Sequence, residues 1–205
     1  MSKIAKRLCE HGAEDNGIMR VIAGCARGTV LFQPDGESTR PTANRIKEDL
    51  FNIIAPYVRD ASFLDLYAGT GQMGIEALSR GAQRAVFVEA SKAAADLVRK
   101  NLAKCRMETN IVICDEALRA AQNLARQQER FDIVFIDPPY DIGGMDKVIR
   151  AMIDGNMLNN GALVITEQAS SAQEATYTPA LEVYKVKKYT TAKITFMKYT
   201  SNNTE

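Results

Sequence analysis

From Ser62 onward the chain alternates short apolar runs with helix-length amphipathic stretches, a rhythm that points to an α/β fold built on a parallel sheet. The runs are Phe63–Tyr67, Ala85–Glu89, Ile111–Cys114, Phe131–Ile136 and Ala162–Thr166. Each is rich in β-branched or aromatic residues and too short for a helix, as buried parallel strands are. Ser91 is placed to cap a helix to about Lys104, with Ala94, Leu97, Val98 and Leu102 inward. Further helices are expected after Gly74, after Asp115 to about Gln128, and from Met145 to Ile153. Two later runs, Leu181–Val186 and Ala192–Tyr199, are joined by a short connection and read as an antiparallel hairpin. The expected architecture is a doubly wound, seven-stranded sheet ending in that hairpin.

Ahead of this domain, Met19–Ala23 and Thr29–Phe32 read as a small hairpin around Gly24–Gly28. A helix follows, with Thr42 as N-cap and Ile46, Leu50, Ile53 and Ile54 as its apolar face. Arg45 and Lys47 fall in or near its first turn, where the helix dipole disfavours cations. Either an external anion such as a phosphate offsets that mismatch, or the helix end is solvated and Glu48 and Asp49 compensate. The organisation expected is a loosely ordered polar leader over 1–17, a hairpin and helix over 18–58, and the main domain over 59–200.

Composition narrows the function classes. At 205 residues and a net charge of +1 the chain carries no global polyanion signal, so a nucleic-acid site must be a local patch. Cys9, Cys25, Cys105 and Cys114 form no Cys-x-x-Cys pair and the one histidine, His11, lies in the leader. No metal site is expected, and the cysteines read as reduced residues of a cytoplasmic protein. No apolar run approaches a membrane span, and the leader lacks the apolar core of a secretory signal.

The chemistry sits at the strand ends. Gly69-Thr70-Gly71-Gln72-Met73-Gly74 fits G-x-G-x-x-G, and Glu89 ends the next run. That fingerprint suits a dinucleotide, with the acid on ribose hydroxyls. S-adenosylmethionine competes: it has the same ribose diol but no pyrophosphate, and its sulfonium is cationic. Asp65 adds negative charge near the turn, and Asp115 can accept an adenine amine. This acidic rim favours S-adenosylmethionine. In Asp137-Pro138-Pro139-Tyr140 the prolines stop the strand, leaving Asp137 at the carboxyl edge where open α/β sheets bind ligands. An exocyclic amine could donate to Asp137 and to the Pro138 carbonyl while its ring stacks on Tyr140.

Together these residues resemble the class I methyltransferases, with Asp65-Leu66-Tyr67-Ala68-Gly69-Thr70-Gly71 as the cofactor loop and Asp137–Tyr140 as the amino-methyltransferase motif. More specifically, Arg40-Pro41-Thr42, Arg45-x-Lys47-Glu48-x-Leu50-Phe51-Asn52 and Gly74-x-Glu76-Ala77-Leu78-Ser79-Arg80-Gly81-Ala82 resemble the RsmD family. Its members methylate N2 of a guanine in 16S ribosomal RNA, and the match runs from about Met19 to Tyr199. The resemblance implies a Rossmann-like fold and S-adenosylmethionine as cofactor, with S-adenosylhomocysteine as product and no metal. It implies 16S rRNA in a 30S subunit or assembly intermediate as partner; apart from the resemblance, no membrane partner is expected and the chain is expected to be a monomer. The resemblance places Asp65, Gly69, Gly71 and Gln72 at the methionine end of the cofactor, Glu89 on the ribose and Asp115 on the adenine, with Ala68, Ala90 and Glu116 completing the set. Asp137, Pro138, Pro139 and Tyr140 would hold the target base, and Arg40, Thr42, Arg45 and Lys47 the RNA backbone. An adenine-N6 or cytosine-N4 methyltransferase uses the same Asp-Pro-Pro-Tyr chemistry and stands as the alternative. A non-catalytic RNA-binding assembly factor and an NAD-dependent enzyme stand further off.

Overall fold

The structure is a computed structural model that describes residues 18–34, 41–139, 144–172 and 178–201. The leader, Arg40 and Tyr140 lie outside the described residues, as do the side chains of 41–43 and hence that of Thr42.

Seven strands form one sheet in the order β3-β2-β1-β4-β5-β7-β6. Five are parallel: β1 (Ser62–Leu66), β2 (Arg84–Glu89), β3 (Ile111–Cys114), β4 (Phe131–Ile136) and β5 (Leu158–Ala169). The hairpin of β6 (Leu181–Lys188) and β7 (Ala192–Tyr199) adds on antiparallel, with β7 against β5. This is the doubly wound sheet and terminal hairpin that the sequence implies.

The strands between the two helical layers are apolar on both faces, which is why they read as unbroken runs rather than alternations. One face, with Phe63, Phe87, Ile133, Phe135, Ile165 and Phe196, packs under α1 (Pro41–Val58), α2 (Gln72–Ser79) and α3 (Lys92–Lys104). The other, with Leu64, Val86, Val134, Ile136 and Val164, packs under α4 (Ala117–Arg126) and α5 (Met145–Asp154). Ser91 caps α3 by accepting the Ala94 N–H, and the inward alanine of that helix is Ala95 rather than Ala94. α1 begins at Pro41, so Thr42 lies inside the helix rather than at its cap. Proline suits a first helical position because its missing N–H has no intrahelical acceptor to lose.

The N-terminal segment is less regular than a hairpin. It closes on a single antiparallel bridge, Arg20 to Val30. Met19, Val21 and Leu31 are buried in the same core as α1 and the sheet, so the segment shares that core. Among the described residues no helix is long and apolar enough to cross a membrane.

Candidate active site at the carboxyl edge of the sheet

The topology reverses between β1 and β4, and there the strand ends open a crevice. A cavity of about 500 Å³ lies in it, within the range of small-molecule sites. Gly69 follows β1, Val88, Glu89 and Ala90 end β2, Asp115 to Leu118 lead into α4, Asp137 and Pro139 follow β4, and Gly144, Lys147 and Val148 open α5. Tyr67 lines it too, held at φ 67° where β1 turns away. Four carboxyl groups, Glu89, Asp115, Glu116 and Asp137, face one lysine, Lys147, so the cavity favours a cationic guest.

The glycine turn is held from several sides. Glu89 accepts the Gly69 N–H at 2.9 Å and the Ser91 N–H at 3.0 Å, which ties the β1 turn to the start of α3. Asn101, fully buried on α3, donates to the Thr70 carbonyl at 2.9 Å and exchanges two bonds with the Phe32 backbone. At Gly74 a Cβ would stand 2.3 Å from the Phe87 ring, so α2 can lie this close to β2 only with glycine there.

Asp65, expected at the methionine end of the cofactor, turns its carboxyl toward the start of α2. It is 2% exposed and accepts the Gly74 N–H at 2.9 Å, fixing the start of α2 from beneath. Burial pushes its carboxyl up to about 8 against the pull of that N–H, and the charge on Glu89 adds to the rise. Gly69, Glu89, Ala90, Asp115, Glu116, Asp137 and Pro139 line the cavity, and Ala68, Gly71 and Pro138 lie in the same loops beside them, with Gln72 at the start of α2. Gln72 Oε1 is buried without a hydrogen-bond partner at the first position of α2, an acceptor left for a donor from outside. Asp115 hydrogen-bonds Arg119 and accepts the Glu116 N–H, and Arg119 foremost holds its carboxyl below the usual range.

Asp137 has a carboxylate neighbour that the sequence reading missed. β4 and β5 run in register, Ile136 beside Thr166, so Asp137, just past the end of β4, comes beside Glu167, which is still within β5. Burial, then the charges of Glu167 and Asp65, push Asp137 up to about 8, and burial raises Glu167 as well. Glu167 also acts on Tyr189, whose hydroxyl donates to Asp49 Oδ2 at 3.1 Å.

The helix expected to contact RNA is used differently. Lys47 is 2% exposed; its ammonium donates to the Arg20 carbonyl at 2.7 Å and lies 3.8 Å from Glu76. Its assignment to the RNA backbone is therefore corrected: the charge is turned inward to hold the N-terminal segment. Arg45 is exposed, as that role requires. Glu76 is fully buried and accepts the Ile22 and Ala23 N–H groups at 2.7 and 3.0 Å and Arg80 Nε at 2.7 Å. Ser79 accepts the Ala26 N–H and donates to the Ala23 carbonyl. A Cβ on Gly24 would stand 1.7 Å from the Ser79 carbonyl oxygen, so the segment approaches α2 as closely as backbone can. The blocks Arg45–Asn52 and Glu76–Ala82 thus meet as one latch.

Comparison with known proteins agrees with this geometry. The family model described as "Conserved hypothetical protein 95" matches residues 19–198. "Ribosomal RNA small subunit methyltransferase D" of Haemophilus influenzae is 39% identical over 153 residues, 74% of this chain and 79% of that protein. The protein of the same name from Escherichia coli K12 is 38% identical over 152 residues, 74% of this chain and 75% of that protein. A solved Escherichia coli chain, yhhF, whose description proposes a methyltransferase, superposes with a TM-score of 0.80 at 32% identity, covering 91% of this chain and 100% of that one.

Proposed function

Because the chain belongs to the RsmD family, we propose that it transfers a methyl group from S-adenosylmethionine to the exocyclic N2 of a guanine in 16S ribosomal RNA, on an assembling 30S particle. It is a methyltransferase of small-subunit rRNA that uses S-adenosylmethionine. The base, the atom and the particle are our reading, and the observation that carries it is the pair of neighbouring carboxyl groups, Asp137 just past β4 and Glu167 on β5.

The residues fit the cofactor. The carboxyl-lined cavity suits a sulfonium, Glu89 stands at the end of β2 where a ribose diol would be held, and the orphaned Gln72 Oε1 suits an ammonium donor. When bound, S-adenosylmethionine supplies an electrophilic methyl group on sulfur.

The amine of guanine is a weak nucleophile because its lone pair is delocalised into the ring. Asp137 as carboxylate, with the Pro138 carbonyl, accepts its N–H groups and orients the lone pair for in-line attack; positioning supplies much of the rate. Asp137 then takes the proton released from nitrogen, or passes it to water. Guanine presents two adjacent donors, N1–H and N2–H, and the neighbouring carboxyl groups of Asp137 and Glu167 offer acceptor oxygens that match that edge. Adenine and cytosine instead place a ring acceptor beside the amine, which a carboxylate repels. A base in structured RNA must be splayed out to reach this edge, and Tyr140 is assigned to stack on it by resemblance. Arg40, Thr42 and Arg45 remain assigned to the RNA backbone on the same ground.

Asp137→Ala tests the role assignment. Methyl transfer should be lost while S-adenosylmethionine binding, followed by calorimetry, stays within a few-fold of wild type; equal loss of both refutes it.

A further inference from the structure

A second cavity, of about 350 Å³, opens between the N-terminal segment and α1 and shares no residue with the first. Three arginines line it: Arg20 at the β-bridge, Arg27 in the turn that follows, and Arg45 on α1. Glu48 is the one carboxylate there, so three guanidiniums against one carboxylate leave a formal charge of +2. The whole chain carries +1, so positive charge is concentrated at this spot.

These arginines differ from Arg80, Arg84, Arg99 and Arg119, each of which holds a carboxylate of the chain. Among the described residues no ion pair or hydrogen bond engages the guanidinium of Arg20, Arg27 or Arg45. Arg27 and Arg45 are exposed, while Arg20 is half-buried with its Nε shielded from water and without an acceptor. A shielded donor with no acceptor costs stability, and the complement it lacks is an oxygen-rich anion. Arg20 is also the residue whose backbone the latch fixes: its carbonyl receives the buried Lys47, and Glu76 holds the N–H groups of Ile22 and Ala23 just beyond it. A guanidinium anchored this way is pre-organised for a ligand. Nothing crowds Gly28 within 4 Å of where a side chain would begin, so a chain can pass over the turn.

A link runs from α1 toward the target-base carboxyls: Asp49, one helical turn from Arg45, accepts the Tyr189 hydroxyl at 3.1 Å, and Tyr189 feels the charges of both Arg45 and Glu167. Glu167 in turn neighbours Asp137 through the β4–β5 register.

We propose that Arg20, Arg27 and Arg45 form a phosphodiester-binding cleft that grips the RNA strand bearing the target base. The inference rests on the rRNA reading above and deepens it: the latch of Lys47, Glu76 and Ser79 holds this cleft in place, while the strand edge does the chemistry.

The test is binding of 30S particles, from cells lacking the protein, measured against salt concentration, with methyl transfer followed in parallel. Arg27→Ala is chosen because the residue is exposed and outside the core. It should weaken particle binding about tenfold and flatten the log-affinity against log-salt slope by about 1, whatever the RNA sequence. Arg27→Lys should fall between, keeping the charge but not the fork. S-adenosylmethionine binding should not change in either. Arg27→Ala and Arg27→Ala/Arg45→Ala both matching wild type in affinity and slope would overturn the cleft, as would a matching loss of cofactor binding. Wild-type protein that binds particles with the expected slopes but transfers no methyl group would overturn the rRNA-methylation reading and leave the cleft standing. Methyl transfer with unchanged slopes would do the reverse.

Discussion

Replacing Glu76 by alanine isolates the latch. The carboxylate is fully buried and serves four donors: Ile22 N, Ala23 N, Arg80 Nε and, at 3.8 Å, Lys47 Nζ. Its loss leaves a 2% exposed ammonium without its carboxylate partner and two backbone N–H groups without acceptors. Removing one partner of a buried ion pair costs about 3–5 kcal/mol, because a desolvated charge is left behind. With a urea m-value of about 2–3 kcal/mol/M, that lowers the unfolding midpoint by about 1–2 M. Lys47→Met should cost less, since Glu76 then keeps its three closer donors. Hydrogen exchange separates undocking from global unfolding: the Ile22 and Ala23 amides should lose protection before those of β4. A midpoint shift worth under about 1 kcal/mol, or a larger cost for Lys47→Met than for Glu76→Ala, refutes the reasoning.

Other expectations follow from the same geometry. Asp137 is raised to about 8 in the free protein, and its carboxylate is the working form, so kcat/KM should climb with pH and level off above that value. A profile flat from mildly acidic to alkaline pH contradicts this. Glu167→Gln removes a neighbouring charge and should move the rise to lower pH while relaxing the preference for guanine over adenine in oligonucleotide competition. Gly24→Ala forces a Cβ to within 1.7 Å of the Ser79 oxygen at φ +84°; it should raise the KM for RNA while cofactor affinity holds.

The fold was legible because both faces of the central sheet are buried, which turns each strand into an apolar run that ends at a loop acid. Glu89 and Asp115 were found for that reason. The latch was harder to see, since Lys47 and Glu76 meet only in three dimensions. One signal lay in the spacing: Lys47 falls on the same helical stripe as Leu50, Phe51, Ile54 and Val58, all buried. Asn101, beside Val98 and Leu102, carries the same mark. Reading positive charge as solvent-facing overrode that periodicity. The nearness of Glu167 to Asp137 needs the β4–β5 adjacency, which strand spacing does not disclose. Tyr67 was read as the last residue of a strand, whereas its positive φ turns it into the cavity wall. Asp65 was read as an acid at the glycine turn, and its carboxyl there accepts the Gly74 N–H from beneath α2.

The central claim is the reaction, and one assay addresses it directly: methyl transfer from labelled S-adenosylmethionine to 30S particles taken from cells lacking this protein, followed by digestion to nucleosides. The account predicts label in N2-methylguanosine at a single site. Label in N6-methyladenosine or N4-methylcytidine would contradict the donor–donor match at Asp137 and Glu167, and no label despite measurable cofactor binding would contradict the proposed substrate.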